Sequence, residues 1–139
     1  MADADTFHCN LVTPDKQVLD CQARFAAIPA HDGEIGFLKN RAPLVCKLGA
    51  GSLRIESSDA VHQYFLDGGF AEMFENNLTI LTPRAELVEE IDRDQAAADF
   101  QAALAMPADN QETRDAKNLA VARARARRHV ALSARPRTP

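Results

Sequence analysis

A chain of 139 residues is sized for one domain, or one small domain with an appendage, and can hide roughly two-thirds of its unfolded surface. Hydrophobic residues at 46% and charged residues at 26% are the balance of a folded soluble domain, and no apolar run is long enough to cross a bilayer. The formal net charge of −4 conceals an asymmetry. Residues 1–112 hold 8 Lys/Arg against 19 Asp/Glu, a net of −11, whereas residues 113–139 hold 8 Lys/Arg and the single acid Asp115, a net of +7. A basic tail on an acidic body predicts that the tail meets an acidic surface: nucleic acid, another protein, or its own body.

The opening Met1-Ala2-Asp3-Ala4-Asp5-Thr6 is acidic and lacks an apolar core, so no secretory signal is expected and the protein is expected to work where it is made. From Thr6 to about Leu87 the chain reads as strands and turns. Phe7, Cys9 and Leu11 alternate with His8, Asn10 and Val12, the period of a half-buried strand. Thr13-Pro14-Asp15-Lys16 is a turn, and Gln17–Asp20 begins the return. Ala23, Phe25 and Ala27 alternate again, and Pro29 is expected to stop that run. Further short strands follow over 35–38, 44–48, 53–56, 61–66, 70–74 and 78–81. Asp32-Gly33, Gly49-Ala50-Gly51, Asp67-Gly68-Gly69 and Asn76-Asn77 punctuate them as turns. Many short strands at close spacing predict a β-sandwich or barrel.

After Leu87 the period changes. Ile91, Ala96, Ala97, Phe100, Ala103 and Leu104 form a helical stripe, and Asp92 and Asp94 suit a first turn. Met106 to Asn110, with Pro107, breaks it. A second helix is predicted from about Glu112 to Leu132, with Ala116, Leu119, Ala122, Ala126 and Val130 as its packing stripe. Arg135 to Pro139 is expected to fray. The predicted fold is therefore mainly β plus α: an N-terminal β-sandwich over 1–87 and a C-terminal two-helix hairpin over 88–139.

No catalytic constellation is present. His8, His31, His62 and His129 fall in no paired metal-ligand spacing. Cys9, Cys21 and Cys46 are too widely spaced for a zinc motif and read as small buried residues kept reduced. Gly49-Ala50-Gly51-Ser52 lacks the third glycine of a dinucleotide loop and leads into a strand, and Asp67-Gly68-Gly69-Phe70 lacks the lysine and helix of a phosphate loop. Neither a cofactor nor a metal is expected. The sharpest local feature is the cluster Arg123, Arg125, Arg127 and Arg128. It reads as a nucleic-acid contact, as a solvated helix face, or as a surface that docks on acidic protein. Aromatic interleaving is missing, and the acidic body would repel phosphates.

Several runs together carry a family resemblance. Asp32-Gly33-Glu34-Ile35-Gly36-Phe37, Ala42-Pro43-Leu44-Val45 and Gly51-Ser52-Leu53-Arg54-Ile55 are similar to the pattern of the epsilon subunits of bacterial F-type ATP synthase. So are Asp67-Gly68-Gly69-Phe70-Ala71-Glu72 and Asn77-Leu78-Thr79-Ile80-Leu81. The runs keep the family's order over about residues 6–88.

The resemblance implies a non-catalytic rotor subunit in the central stalk, at the cytoplasmic face of the bacterial plasma membrane and only peripherally attached to it. Its sandwich would be clamped to the gamma subunit and stand on the c-ring. The c-ring contact would be the turn His31, Asp32 and Glu34, with Arg41 nearby, where many members carry a histidine. The helices would fold against the sandwich or extend toward the alpha/beta catalytic hexamer and hinder ATP hydrolysis, with Arg123, Arg125, Arg127 and Arg128 docking on acidic beta-subunit residues.

Members that bind ATP in the hairpin show an Ile/Leu-Asp-x-x-Arg-Ala motif, matched here by Ile91, Asp92, Arg93, Asp94, Gln95 and Ala96. Gln95 stands where the motif has arginine, and Asp94 adds a repulsive charge. A nucleotide site over Ile91, Asp92, Gln95, Arg123 and Arg127 is therefore expected to be weak. The alternative class is a small scaffold or nucleic-acid-binding protein with a basic helical tail.

Overall fold

The computed structural model describes residues 5–133. Eight strands come first: β1 (Phe7–Val12), β2 (Gln17–Ala23), β3 (Phe25–Ala30), β4 (Gly33–Phe37), β5 (Leu44–Glu56), β6 (Val61–Phe74), β7 (Asn77–Leu81) and β8 (Ala85–Leu87). A single 3₁₀ turn, Val88–Glu90, then leads to α1 (Arg93–Leu104) and α2 (Gln111–Ser133). The chain divides into two compact units between Leu87 and Val88.

The strands are hydrogen-bonded in the order β2-β1-β7-β6-β5-β3-β4, and β8 pairs with the first half of β6. Every pairing is antiparallel except β1 with β7. The long strands β5 and β6 pair along their length and bend together, which folds the sheet over into a sandwich. In one layer β2, β1 and β7 join the second half of β6. In the other, the first half of β6 carries β8, and the second half of β5 carries β3 and β4.

The bend lies where the sequence has glycine. Gly68 and Gly69 adopt φ of +85° and +113° between the stretch paired to β8 and the stretch paired to β7, a region that side chains with a Cβ avoid. A Cβ on Gly69 would stand 2.0 Å from the Leu81 carbonyl oxygen. On β5, a Cβ on Gly51 would stand 2.9 Å from the Pro29 Cβ.

The glycine runs Gly49–Gly51 and Asp67–Gly69 are thus bends inside two long strands, not turns between four short ones. A turn and a bend make the same local demand, so composition alone does not separate them. Pro29 likewise does not end its strand but lies inside β3. The β3–β5 register is broken between Ala27 and Ala30, so no ladder donor is missed at the proline. The alternation also changes phase at Arg24, the bend between β2 and β3. Ala26 and Ile28 point inward, while Phe25 lies on the outer face, 6.0 Å from the Arg54 guanidinium.

Both layers contribute to one core. Phe7, Cys9, Leu11, Met73, Leu78 and Ile80 come from the first, and Ile28, Phe37, Leu53, Ile55 and Leu66 from the second. Each large side chain hidden here contributes on the order of 1.5–3 kcal/mol. Cys9 is fully buried, and burial, aided by Cys21 and Asp20, pushes its thiol up to about 12. Its ordinary value is lower, so above pH 9 the unfolded chain loses this proton first. Stability is then lost as pH rises from about 9 to about 12, at up to about 1.4 kcal/mol per pH unit. Denaturant midpoints taken between pH 8 and 11 are expected to fall more steeply for the parent chain than for Cys9→Ala.

The helices start on side-chain caps. Asp92 accepts from the Gln95 backbone N–H at 3.0 Å, with non-helical φ and ψ of −74° and 115°. Asn110 accepts from the Thr113 N–H at 2.8 Å, while the Thr113 hydroxyl accepts from the Asn110 N–H at 3.0 Å. These bonds satisfy donors that a helix start leaves open.

The buried side of α2 differs from the expected stripe. Val130 and Ala131 are buried, and Ala120, Val121, Ala124, Ala126 and Arg127 are half-buried, whereas Ala116, Leu119 and Ala122 are exposed. Alanine recurs on every side of this helix, so its periodicity marks no unique face. On α1, Ala96 and Ala103 are buried as the stripe predicts, but Leu104 is exposed.

Candidate interaction surfaces

The turn expected to carry a partner contact links β3 to β4. His31 and Asp32 join the cross-strand pair Ala30 and Gly33, and the His31 N–H donates to the Lys47 carbonyl at 2.8 Å. Gly33 takes φ of +139°. His31, Asp32 and Glu34 are all exposed. Arg41 lies in the loop after β4. Its guanidinium donates to the Gly36 carbonyl at 3.3 Å and covers the Phe37 ring at 5.0 Å from the centroid.

Asp32 and Arg41, although at opposite ends of β4, both act on the Cys46 thiol. Burial raises its pKa first, Arg41 lowers it and Asp32 raises it. The loop bearing Arg41 is anchored by Asn40 and Asn76, both at positive φ. The Asn40 N–H donates to Asn76 Oδ1 at 2.7 Å, and Asn76 Nδ2 donates to Asn40 Oδ1 at 3.2 Å.

A second surface was not singled out from sequence. On the outer face of the first layer Val45, Phe70, Phe74 and Leu81 each leave more than half of their surface in solvent. Register places them together: Phe70 faces Leu81, Val45 faces Glu72, and Phe70 and Phe74 flank Glu72 along β6. The inner positions Ala71 and Met73 are buried, so, Glu72 apart, Phe70 to Phe74 is apolar on both faces of the strand. That is the signal sequence offers for such a surface, because a half-buried strand would be polar on one side. Exposed apolar side chains in contiguous register mark a contact surface. Further along the same face the chemistry turns polar. His8 is paired with Asp20, and Gln17 donates to both Asn10 and Asp20 at 2.8 and 3.1 Å.

In the helical unit the arginine cluster is engaged internally. Arg127, largely buried, pairs with Asp99 of α1 at 3.2 Å. Arg125 and Arg128 lie 5.7 and 5.5 Å from the centroid of the Phe100 ring, within cation–π range. Arg93 donates to the Ala131 carbonyl at 3.1 Å. Of the candidate nucleotide positions, Asp92 is the cap of α1 and Gln95 donates to Asp99 at 2.8 Å. Ile91 is buried, and Arg123 is exposed on α2. The structure brings Gln95 and Arg127 to the same carboxylate, Asp99. Of the partners of these arginines, Asp99 was not singled out from sequence, and Phe100 was expected only as part of the packing stripe of α1.

Among the described residues no group of three or more His, Cys, Asp or Glu side chains could hold a metal ion, and no helix is long and apolar enough to cross a membrane. A family model described as "ATP synthase, Delta/Epsilon chain, beta-sandwich domain" matches residues 6–88. The chain belongs to the ATP synthase epsilon chain family.

The ATP synthase epsilon chain of Rhodopirellula baltica is 40% identical over 120 residues, which is 86% of this chain and 94% of that one. That of a Cyanothece strain is 39% identical over 127 residues, 88% and 92% of the two chains. In the cryo-EM structure of Euglena gracilis mitochondrial ATP synthase, OSCP/F1/c-ring, one chain superposes with a TM-score of 0.80 at 25% identity, covering 87% of this chain and 78% of that one. A chain of the Tetrahymena thermophila mitochondrial central stalk and c-ring shares the fold, with a TM-score of 0.68 at 16% identity over 89% and 95% of the two chains. Membership displaces the alternative drawn from the basic tail alone, a scaffold or nucleic-acid-binding protein.

Proposed function

We propose that this chain is the non-catalytic central-stalk subunit that couples ion flow through a c-ring to ATP synthesis, seated on the gamma subunit at the cytoplasmic face of the plasma membrane. The observation that carries the reading is the apolar outer face of the first layer, with Val45, Phe70, Phe74 and Leu81 exposed in adjacent registers. Such a face gains by being covered, at about 25 cal/mol for each Å² of apolar surface withdrawn from water, and the gamma subunit is the partner we assign to it. The polar turn of His31, Asp32 and Glu34, with Arg41 on the neighbouring loop, is the surface we assign to the c-ring. Its mixed charges suit the short polar loops of such a ring.

The helical unit is proposed as the regulatory part. Arg123, Arg125, Arg127 and Arg128 would reach acidic residues of the alpha/beta hexamer when the hairpin opens and thereby slow ATP hydrolysis. A nucleotide held near Ile91, Asp92 and Gln95 would favour the closed hairpin only weakly. Asp92, Gln95 and Arg127 already serve the hairpin's own contacts.

The test is recovery of the tagged chain from detergent-solubilised membranes. Gamma and the c-ring are expected to come with it in fixed ratio, and Phe70→Ser is expected to reduce their recovery. Recovery of the folded chain without gamma would overturn the assignment.

A further inference from the structure

Glu72 sits at the centre of the apolar outer face. Val45 of β5 and Thr79 of β7 stand directly opposite it in register, and Phe70 and Phe74 flank it along β6. Glu72 is exposed, and among the described residues its carboxylate makes no hydrogen bond or ion pair. Lys47 is diagonal to it, paired in register with Phe70, and forms no ion pair with it. Water satisfies this carboxylate while the face is open. Covering the surrounding aromatic side chains would strip that water away, and a carboxylate left unpaired in an apolar contact is costly.

We infer that the partner seated on this face presents a lysine or arginine opposite Glu72, ringed by apolar side chains that meet Phe70, Phe74, Val45 and Leu81. The inference rests on the proposed docking of the gamma subunit here and states what that docking surface must contain. The apolar ring supplies contact area, and the single charge fixes register and orientation. A partner surface equally apolar but lacking the cation is rejected because it would leave Glu72 buried and unpaired. A bidentate arginine would satisfy both carboxylate oxygens.

The experiment measures the dissociation constant of the full chain for a purified alpha/beta/gamma assembly lacking this subunit, at two salt concentrations. The chains compared are the parent, Glu72→Gln, Glu72→Arg and Phe70→Ser. Glu72→Gln is expected to weaken binding by roughly 30-fold or more, the size of effect seen when one partner of a covered charge pair is lost. It is also expected to flatten the salt dependence, and Glu72→Arg is expected to abolish binding. Because Glu72 is exposed, the thermal midpoints of its variants should match the parent. If Glu72→Gln and Glu72→Arg bind as the parent does while Phe70→Ser fails, the face docks without a cation and the inference falls alone. If all three variants bind as the parent does, the docking face itself is wrongly assigned.

Discussion

Gly69→Ala is expected to cost at least about 3 kcal/mol of stability and to leave much of the protein unfolded at ordinary temperature. Two independent penalties meet at this position. The backbone holds φ of +113°, where a side chain is strained. The new methyl would also stand 2.0 Å from the Leu81 carbonyl oxygen and 2.8 Å from the Thr82 Cα. The obstacle is backbone and not a flexible side chain, so relief requires moving β6 away from the end of β7, which breaks pairing on the core side. Overpacking alone costs about 1–3 kcal/mol, and the conformational strain adds to it. Gly33→Ala shares the positive φ but meets nothing within 4 Å, so it isolates the strain and is expected to cost less. Chemical denaturation of both variants checks the pair. An alanine at 69 tolerated as well as one at 33 would refute the close approach.

This pair also shows how far sequence carried the fold. Period-2 alternation in Phe7 to Val12 placed β1 with its buried side, because a strand half in water must alternate. The Asp67-Gly68-Gly69 run announced a special backbone but not whether the chain turned back or merely bent. That choice depends on which strand pairs with each half of β6, and no local signal records it. Pro29 misled for a similar reason, since whether a ladder bond is lost depends on a register gap with β5.

The candidate surfaces were legible unevenly. The turn residues His31, Asp32 and Glu34 stood out through a family motif. The face of Phe70, Phe74, Val45 and Leu81 did not, because residues far apart in the chain build it. The arginines of α2 were conspicuous, yet their partners Asp99 and Phe100 looked like any acid and any apolar stripe residue on α1.

The contacts of those arginines set the second large expectation. Replacing Arg125, Arg127 and Arg128 together with alanine preserves helix propensity but removes the Asp99 pair and both cations that cover Phe100. Each contact is worth about 0.2–1 kcal/mol at such a partly exposed site. Together they should loosen the hairpin by roughly 0.6–3 kcal/mol if they add. Amide exchange across α1 and α2 is expected to quicken by about threefold to 150-fold, while the strands keep their protection. Arg114→Ala removes a similar charge from an exposed site on α2 and serves as the control.

In the assembled enzyme the same triple variant is expected to hydrolyse ATP faster, although its hairpin opens more readily, because the charges proposed to dock on the hexamer are gone. Inhibition by the parent chain should weaken as salt rises. A triple variant that inhibits as strongly as the parent at low salt would remove the arginines from the docking surface.

Coupling by this chain is read out as ATP synthesis at a fixed ion gradient. Inverted membrane vesicles from cells lacking this chain would be compared before and after the purified protein is added back. Synthesis is expected near background without the chain and to recover to a level that saturates at one chain per enzyme, with Phe70→Ser failing to restore it. Full synthesis in vesicles that lack the chain would show that it is not needed for coupling.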